Sequence, residues 1–263
     1  MTLEKEQGLR NAITFGVQGV QSSYSEALAS IWRMGRTPVS MEKDEVTHDA
    51  ITQFGETIHQ TTLFRLLGFE KTESIDYYPD EKPTYLADLN YPIDEKLKGK
   101  YSLVYDGGTM EHCFNPAQVM LNASLLVDLG GTVIHHVPMN NWVDHGFYQF
   151  SPTLFFDFYS TNKFSDLNMK VHFMGRHKES YINYNPRIDE PLPYALGGTT
   201  RMMLFFSARK STEFTDFKFP VQGRYRELFG NEGDGPPKPK AGVAKRLQMS
   251  FRKRMIRFRS VSL

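Results

Sequence analysis

YSLVYDGG, residues 101–108, reads as a buried strand that stops on an acid and two glycines. Its apolar side chains do not alternate strictly, which suits a strand covered on both faces. Upstream, TESID (72–76) is a strand ending in Asp76, and TYLA (84–87) is another, running into Asp88-Leu89-Asn90. Earlier still, NAITF (11–15) runs into Gly16-Val17-Gln18-Gly19. Helical stretches separate some of these strands. One begins near Ser22 or Ser23, with Ala27, Leu28, Ile31 and Trp32 or Met34 at helical spacing, and a second covers about 49–67 and stops at Gly68.

Downstream, Pro116 opens a helix to about Leu129, Gly130-Gly131 ends it, and TVIHHV (132–137) is the next strand. Ser151-Pro152 starts a helix that reaches Thr161. Asn168–Phe173 and Arg201–Ala208 are the last strands, with a loop-rich segment at 176–200 between them. This alternation predicts an α/β fold: a doubly wound, mostly parallel, Rossmann-like sheet with an antiparallel edge pair at its C-terminal end. The domain is expected over residues 1–230, with a Gly/Pro-rich linker at 231–242 and a basic amphipathic tail at 243–263.

Composition narrows the class. Hydrophobic residues make up 40% and charged residues 23%, so the chain can bury a core. Twenty Phe and thirteen Tyr leave aromatic surface to line a cleft. A lone cysteine, Cys113, excludes an intramolecular disulfide framework and a Cys-rich zinc module, and points to a reducing, cytoplasmic compartment. The N-terminus, MTLEKEQGLRN, has no apolar run of the signal-peptide kind. The net charge of +1 hides an asymmetry, because residues 236–263 carry nine basic side chains and no acid. In the tail Val243, Leu247, Phe251, Met255 and Phe258 fall on one helical stripe, which suits peripheral contact with an anionic membrane or an acidic partner. The rest of the chain is net acidic, which disfavours nucleic acid.

In an open α/β sheet, ligands bind beyond the carboxyl ends of the strands. This sequence puts Gly16 and Gly19, Asp76, Asp88 and Asp106 there. An acid after one strand can accept two ribose hydroxyls, and an acid after the next can accept the exocyclic amine of adenine. Metal ligation by His112, His145, Asp106 and Asp144 lacks a dense ligand spacing. His135 and His136 are adjacent in a strand and face opposite ways, so at most one of them can face a cleft.

The ordered set SID, LADLN, YSLVYDGGTMEH and LLVDLGGTVIHHVP resembles the class I S-adenosylmethionine-dependent methyltransferases, especially those acting on small molecules and sugars. The resemblance implies S-adenosylmethionine as cofactor. It implies that Asp76 binds the ribose, that Asp88 and Leu89 contact the adenine, and that Asp106 lies near the methyl donor. The family's G-x-G-x-G loop is reduced here to Gly16 and Gly19. Glu111-His112 matches the family's Glu-His pair, and His112 and His145 are the candidate acid/base residues. Glu111, Asn141 and Tyr148 are expected at a small-molecule or sugar acceptor. Two other functions compete with methyl transfer. One is a non-catalytic, methyltransferase-like binding protein, which the thinned glycine loop favours. The other is a nicotinamide-dependent oxidoreductase, which would need the G-x-G-x-x-G loop that is missing here.

Overall fold

In the computed structural model, residues 10–39, 46–47, 57–175, 179–187, 189, 198–213 and 216–223 are described. The expected linker and basic tail lie outside them, as do residues 49–56 of the expected second helix. Met1–Lys218 form one compact unit and Phe219–Leu263 another.

Local signals set the helices. Helix α1 (Tyr24–Arg33) follows β1 (Asn11–Phe15) and starts at Ser23, whose side chain accepts from the Glu26 amide while Glu26 reaches back to the Ser23 amide. Ala27, Leu28 and Ile31 are buried as their spacing predicts, whereas Trp32 and Met34 are exposed. Next come two short strands, β2 (Val46–Thr47) and β3 (Thr57–Ile58), which pair with each other. The second helix is shorter than the sequence suggests: α2 (Gln60–Leu66) is capped by His59 and ends before Gly68, whose φ is +95°.

Then follow β4 (Lys71–Asp76), β5 (Tyr85–Leu86), β6 (Tyr101–Asp106), α3 (Pro116–Leu126) and β7 (Val127–Asn140). The expected α3 end at Leu129 is too late. Val127 turns extended and pairs with Tyr101, while the amides of Gly99 and Lys100 donate to the carbonyls of Leu125 and Leu126 at 2.8 and 3.1 Å. The helix therefore ends against a partner strand, and Gly130-Gly131 lie in an irregular stretch of β7. Helix α4 (Pro152–Thr161) has the boundaries the sequence gives, and β8 (Phe164–Met174), β9 (Glu179–Asn183) and β10 (Arg201–Lys210) complete the unit.

The main sheet runs β5-β4-β1-β6-β7-β10-β8-β9. The pairs among β5, β4, β1, β6 and β7 are parallel, and β10 is antiparallel to both β7 and β8. The antiparallel edge pair is β8–β9, because β10 slots in beside β7. Strand β9 occupies part of the segment read as loop. All five of its residues are exposed, so no buried–exposed alternation marks it.

The sheet is covered on both faces. Ile13 and Phe15 of β1 join a core with residues of α3 and α4, while Ala12 packs with Phe64 of α2. The first five strands take the order 3-2-1-4-5, so the winding reverses between β1 and β6, where doubly wound sheets leave a crevice.

Candidate functional site

Parallel pairing delivers the carboxyl ends of β1, β4, β5 and β6 to one edge, and the loops beyond them enclose a cleft of ≈ 420 Å³. Gly16, Asp76, Asp88, Leu89, Thr109 and His112 are among its lining residues. Asp76 is held by the Val17 amide on Oδ2 (3.3 Å) and the Tyr78 amide on Oδ1 (3.0 Å). Asp88 Oδ1 accepts from the Asn90 amide (2.9 Å) and side chain (2.7 Å). These bonds orient both carboxylates. Leu89 is buried on the cleft wall, and Tyr77 and Tyr78 stand exposed at its mouth with their rings edge to face, 4.9 Å apart.

Gly16 adopts φ +72°, and a Cβ on it would lie 3.0 Å from Thr109 Oγ1, so glycine suits both the backbone and the close approach. Thr109, which the sequence analysis did not single out, donates from Oγ1 to the Phe15 carbonyl at 2.7 Å and ties the β6 loop to the glycine turn. Gln18 was also missed as a side chain. Its Nε2 donates to the Phe15 carbonyl at 2.5 Å, and its Oε1 lies 2.1 Å from where a Cβ on Gly107 would stand. The Gln18 amide N–H donates to Gln60 Oε1 at 2.8 Å, so α2 supports the turn from behind. A glutamine in the turn signals polarity, but its fold onto Gly107 is a tertiary fact.

Six expected site residues lie outside the cleft lining: Asp106, Gly19, Asn141 and Tyr148, and also Glu111 and His145, which gather beside His112. Asp106 is fully buried beneath the cleft: Oδ1 accepts the amides of Thr109 (3.0 Å) and Met110 (3.3 Å), and Oδ2 bonds His135 Nδ1 at 2.8 Å. His135 Nε2 meets the Tyr159 hydroxyl in turn at 2.5 Å, making His135 a core histidine. Gly19 is exposed, and a Cβ there would meet nothing within 4 Å. Asn141 uses its side-chain amide to hold the carbonyls of Gly198 (2.9 Å) and Thr200 (2.7 Å), and the Tyr148 hydroxyl donates to the Phe114 carbonyl at 2.9 Å. Their polar atoms pin the 141–148 loop.

That loop brings His145 to the short 3-10 turn Met110–His112 that follows β6. The amides of Phe147 and Tyr148 donate to the Glu111 carbonyl (2.8 and 3.3 Å), and Gly146 packs so close that a Cβ would sit 2.9 Å from that oxygen. Trp142 anchors the loop by donating Nε1–H to the Met202 carbonyl of β10 (3.0 Å), with Arg201 over its ring and the His145 ring 4.7 Å away. Glu111 Oε1 thereby lies 3.6 Å from His145 Nε2 and 3.9 Å from His112 Nε2, and the two imidazole rings are 5.0 Å apart. The Glu111 side chain is 1% exposed, and neither of its oxygens accepts a hydrogen bond among the described residues. Burial, and secondarily the charge of Asp106, push its carboxyl up to about 8. Burial, then His112 and Arg201, lower His145. Asp144 is not part of this group.

No family model matches the sequence, and no curated protein matches it. Solved structures do resemble it. The likeness is to S-adenosylmethionine-dependent methyltransferases. One from Archaeoglobus fulgidus aligns over 77% of this chain and 87% of its own at 12% identity, with a TM-score of 0.39. A phosphoethanolamine N-methyltransferase of Haemonchus contortus, solved with S-adenosyl-L-methionine, aligns over 79% of this chain and 50% of its own at 9% identity and a TM-score of 0.42. A possible histamine N-methyltransferase from Thermotoga maritima covers 52% and 72% at 12% identity and a TM-score of 0.37. The sheet order, rather than these matches, fixes the fold. Among the described residues, no helix is long and apolar enough to cross a membrane.

Proposed function

We propose that the chain binds S-adenosylmethionine in the β1–β4–β5–β6 cleft and transfers its methyl group to a small-molecule or carbohydrate acceptor. One observation carries this reading: Asp76 and Asp88, from the ends of neighbouring strands, line one cleft together with Leu89 and a positive-φ glycine. Two carboxylates held by backbone and amide donors suit a ribose diol and an exocyclic amine, and Leu89 offers an apolar wall to a purine. When bound, the cofactor supplies an activated methyl group on a sulfonium.

The chain's own residues then have three tasks. Asp76 and Asp88 fix the nucleoside, Gly16 faces the amino acid part, and His112, on the cleft wall with Glu111 and His145 beside it, faces the acceptor. His112 and His145 are partly exposed there, at 48% and 42%, and can take or hold an acceptor proton. Calorimetry with S-adenosylmethionine and S-adenosylhomocysteine tests the reading. The expected result is binding that Asp76→Ala and Asp88→Ala each weaken at least tenfold; no binding, or binding indifferent to both changes, overturns it.

The fold of Gln18 onto Gly107 favours a second reading, a nucleoside-binding protein that transfers no methyl group. Adenosine binding without binding of the sulfonium cofactor, reversed in Gln18→Gly, would select it.

A further inference from the structure

We propose that Glu111, His112 and His145 form a binding site for a divalent first-row transition ion, of the zinc or manganese kind, at the acceptor end of the cleft. Each residue offers one ligand atom, and these atoms all lie within 4.8 Å of one another. Donors around one such ion, at bond lengths of about 2.0–2.2 Å, stand roughly 3–3.6 Å apart. The Glu111–His145 separation of 3.6 Å already matches, and the Glu111–His112 separation of 3.9 Å closes with a small side-chain rotation. The two histidines are the half-exposed members, so they have room to adjust around a fixed carboxylate.

An independent observation points to a ligand. Glu111 is buried, yet neither carboxylate oxygen accepts a hydrogen bond among the described residues. Such a group normally costs about 1–3 kcal/mol and is rarely left unserved. An ion would serve it. The backbone around Glu111 is fixed by the Phe147 and Tyr148 amides and by Gly146, so the carboxylate is held in place rather than left over from loose packing.

Donor chemistry narrows the ion. Two imidazoles and one carboxylate suit zinc, manganese or iron; calcium and magnesium prefer all-oxygen shells. Three protein ligands leave coordination positions open, and His112 lines the cleft, so the open side faces whatever the cleft holds. That the ion then polarises an acceptor oxygen rests on the function proposed above; its binding does not.

The test uses the full, tag-free chain, stripped with a chelator and titrated with Zn²⁺ by calorimetry and with Co²⁺ by visible absorption. One ion per chain is expected. Glu111→Gln and His145→Gln should each weaken it tenfold or more, while His136→Gln, remote from the cluster, should leave it unchanged. Circular dichroism checks folding, and should Glu111→Gln fail to fold, His145→Gln on the exposed rim still decides. Absence of ion binding, or binding that is equal in His145→Gln, overturns the site. Cofactor binding measured on the same stripped protein reports separately on the methyl-transfer reading.

Discussion

Asp106 and Glu111 are carboxylates five residues apart, both buried at the end of β6, in opposite surroundings. Asp106 bonds two amides and His135, and His135 passes the chain of contacts to Tyr159. The Glu111 carboxylate accepts no hydrogen bond among the described residues and faces two half-exposed histidines. The first arrangement fastens the loop after β6 to the core. The second spends stability on a group held ready for a ligand. Burial alone therefore does not identify a working residue; what separates the two is whether the carboxylate's bonding capacity is used.

The contrast can be broken most sharply at Asp106. Asp106→Ala leaves His135 buried without its partner and frees two amides, so a loss of about 3–5 kcal/mol is expected in urea unfolding. A cost near zero would erase the distinction between the two acids.

The next largest effect is one of pH, and it concerns the neighbour of His135. His136 faces the other side of β7, stacks against His172 at 5.6 Å, and is pushed down to about 4 by burial and then by the His172 charge. The unfolded chain takes up that proton near pH 6.5 and the folded chain only near 4. This contribution to stability is therefore complete above 6.5 and drains away as the pH falls toward 4, by up to roughly 3 kcal/mol. Glu111, raised to about 8, contributes a slope of opposite sign between pH 8 and 4.5. The check is therefore a difference: thermal unfolding of His136→Gln minus that of the unaltered protein, followed from pH 7 to 4, should isolate the His136 slope.

Smaller again is Tyr159→Phe, which removes only the hydroxyl against His135 Nε2. About 1–2 kcal/mol should be lost by chemical denaturation, with metal uptake unchanged. Smallest is Glu111→Gln in chelated protein. No hydrogen bond among the described residues is lost, so stability should stay within about 0.5 kcal/mol or rise.

The sequence exposes the fold wherever a chemical signal is local. Ser23 with Glu26, Pro116, and Pro152 after Ser151 mark helix starts that the structure keeps. It fails where partners decide: Val127 leaves the helix for Tyr101, and β9 is an exposed strand with no apolar stripe. The same division runs through the site. Asp76, Asp88, Leu89 and His112 are legible because strand ends point at one edge. The unserved state of Glu111, the lean of Gln18 on Gly107 and the Trp142 anchor arise from segments far apart in the chain, and no spacing encodes them.

Gly146 has a consequence beyond its own loop. Its α-carbon rests against the Glu111 backbone, and one methyl there would overlap that carbonyl. The gap between the two imidazoles is thus gauged by a hydrogen atom: any larger residue at 146 would lift His145 off the rim and leave the acid with one neighbour where it now has two.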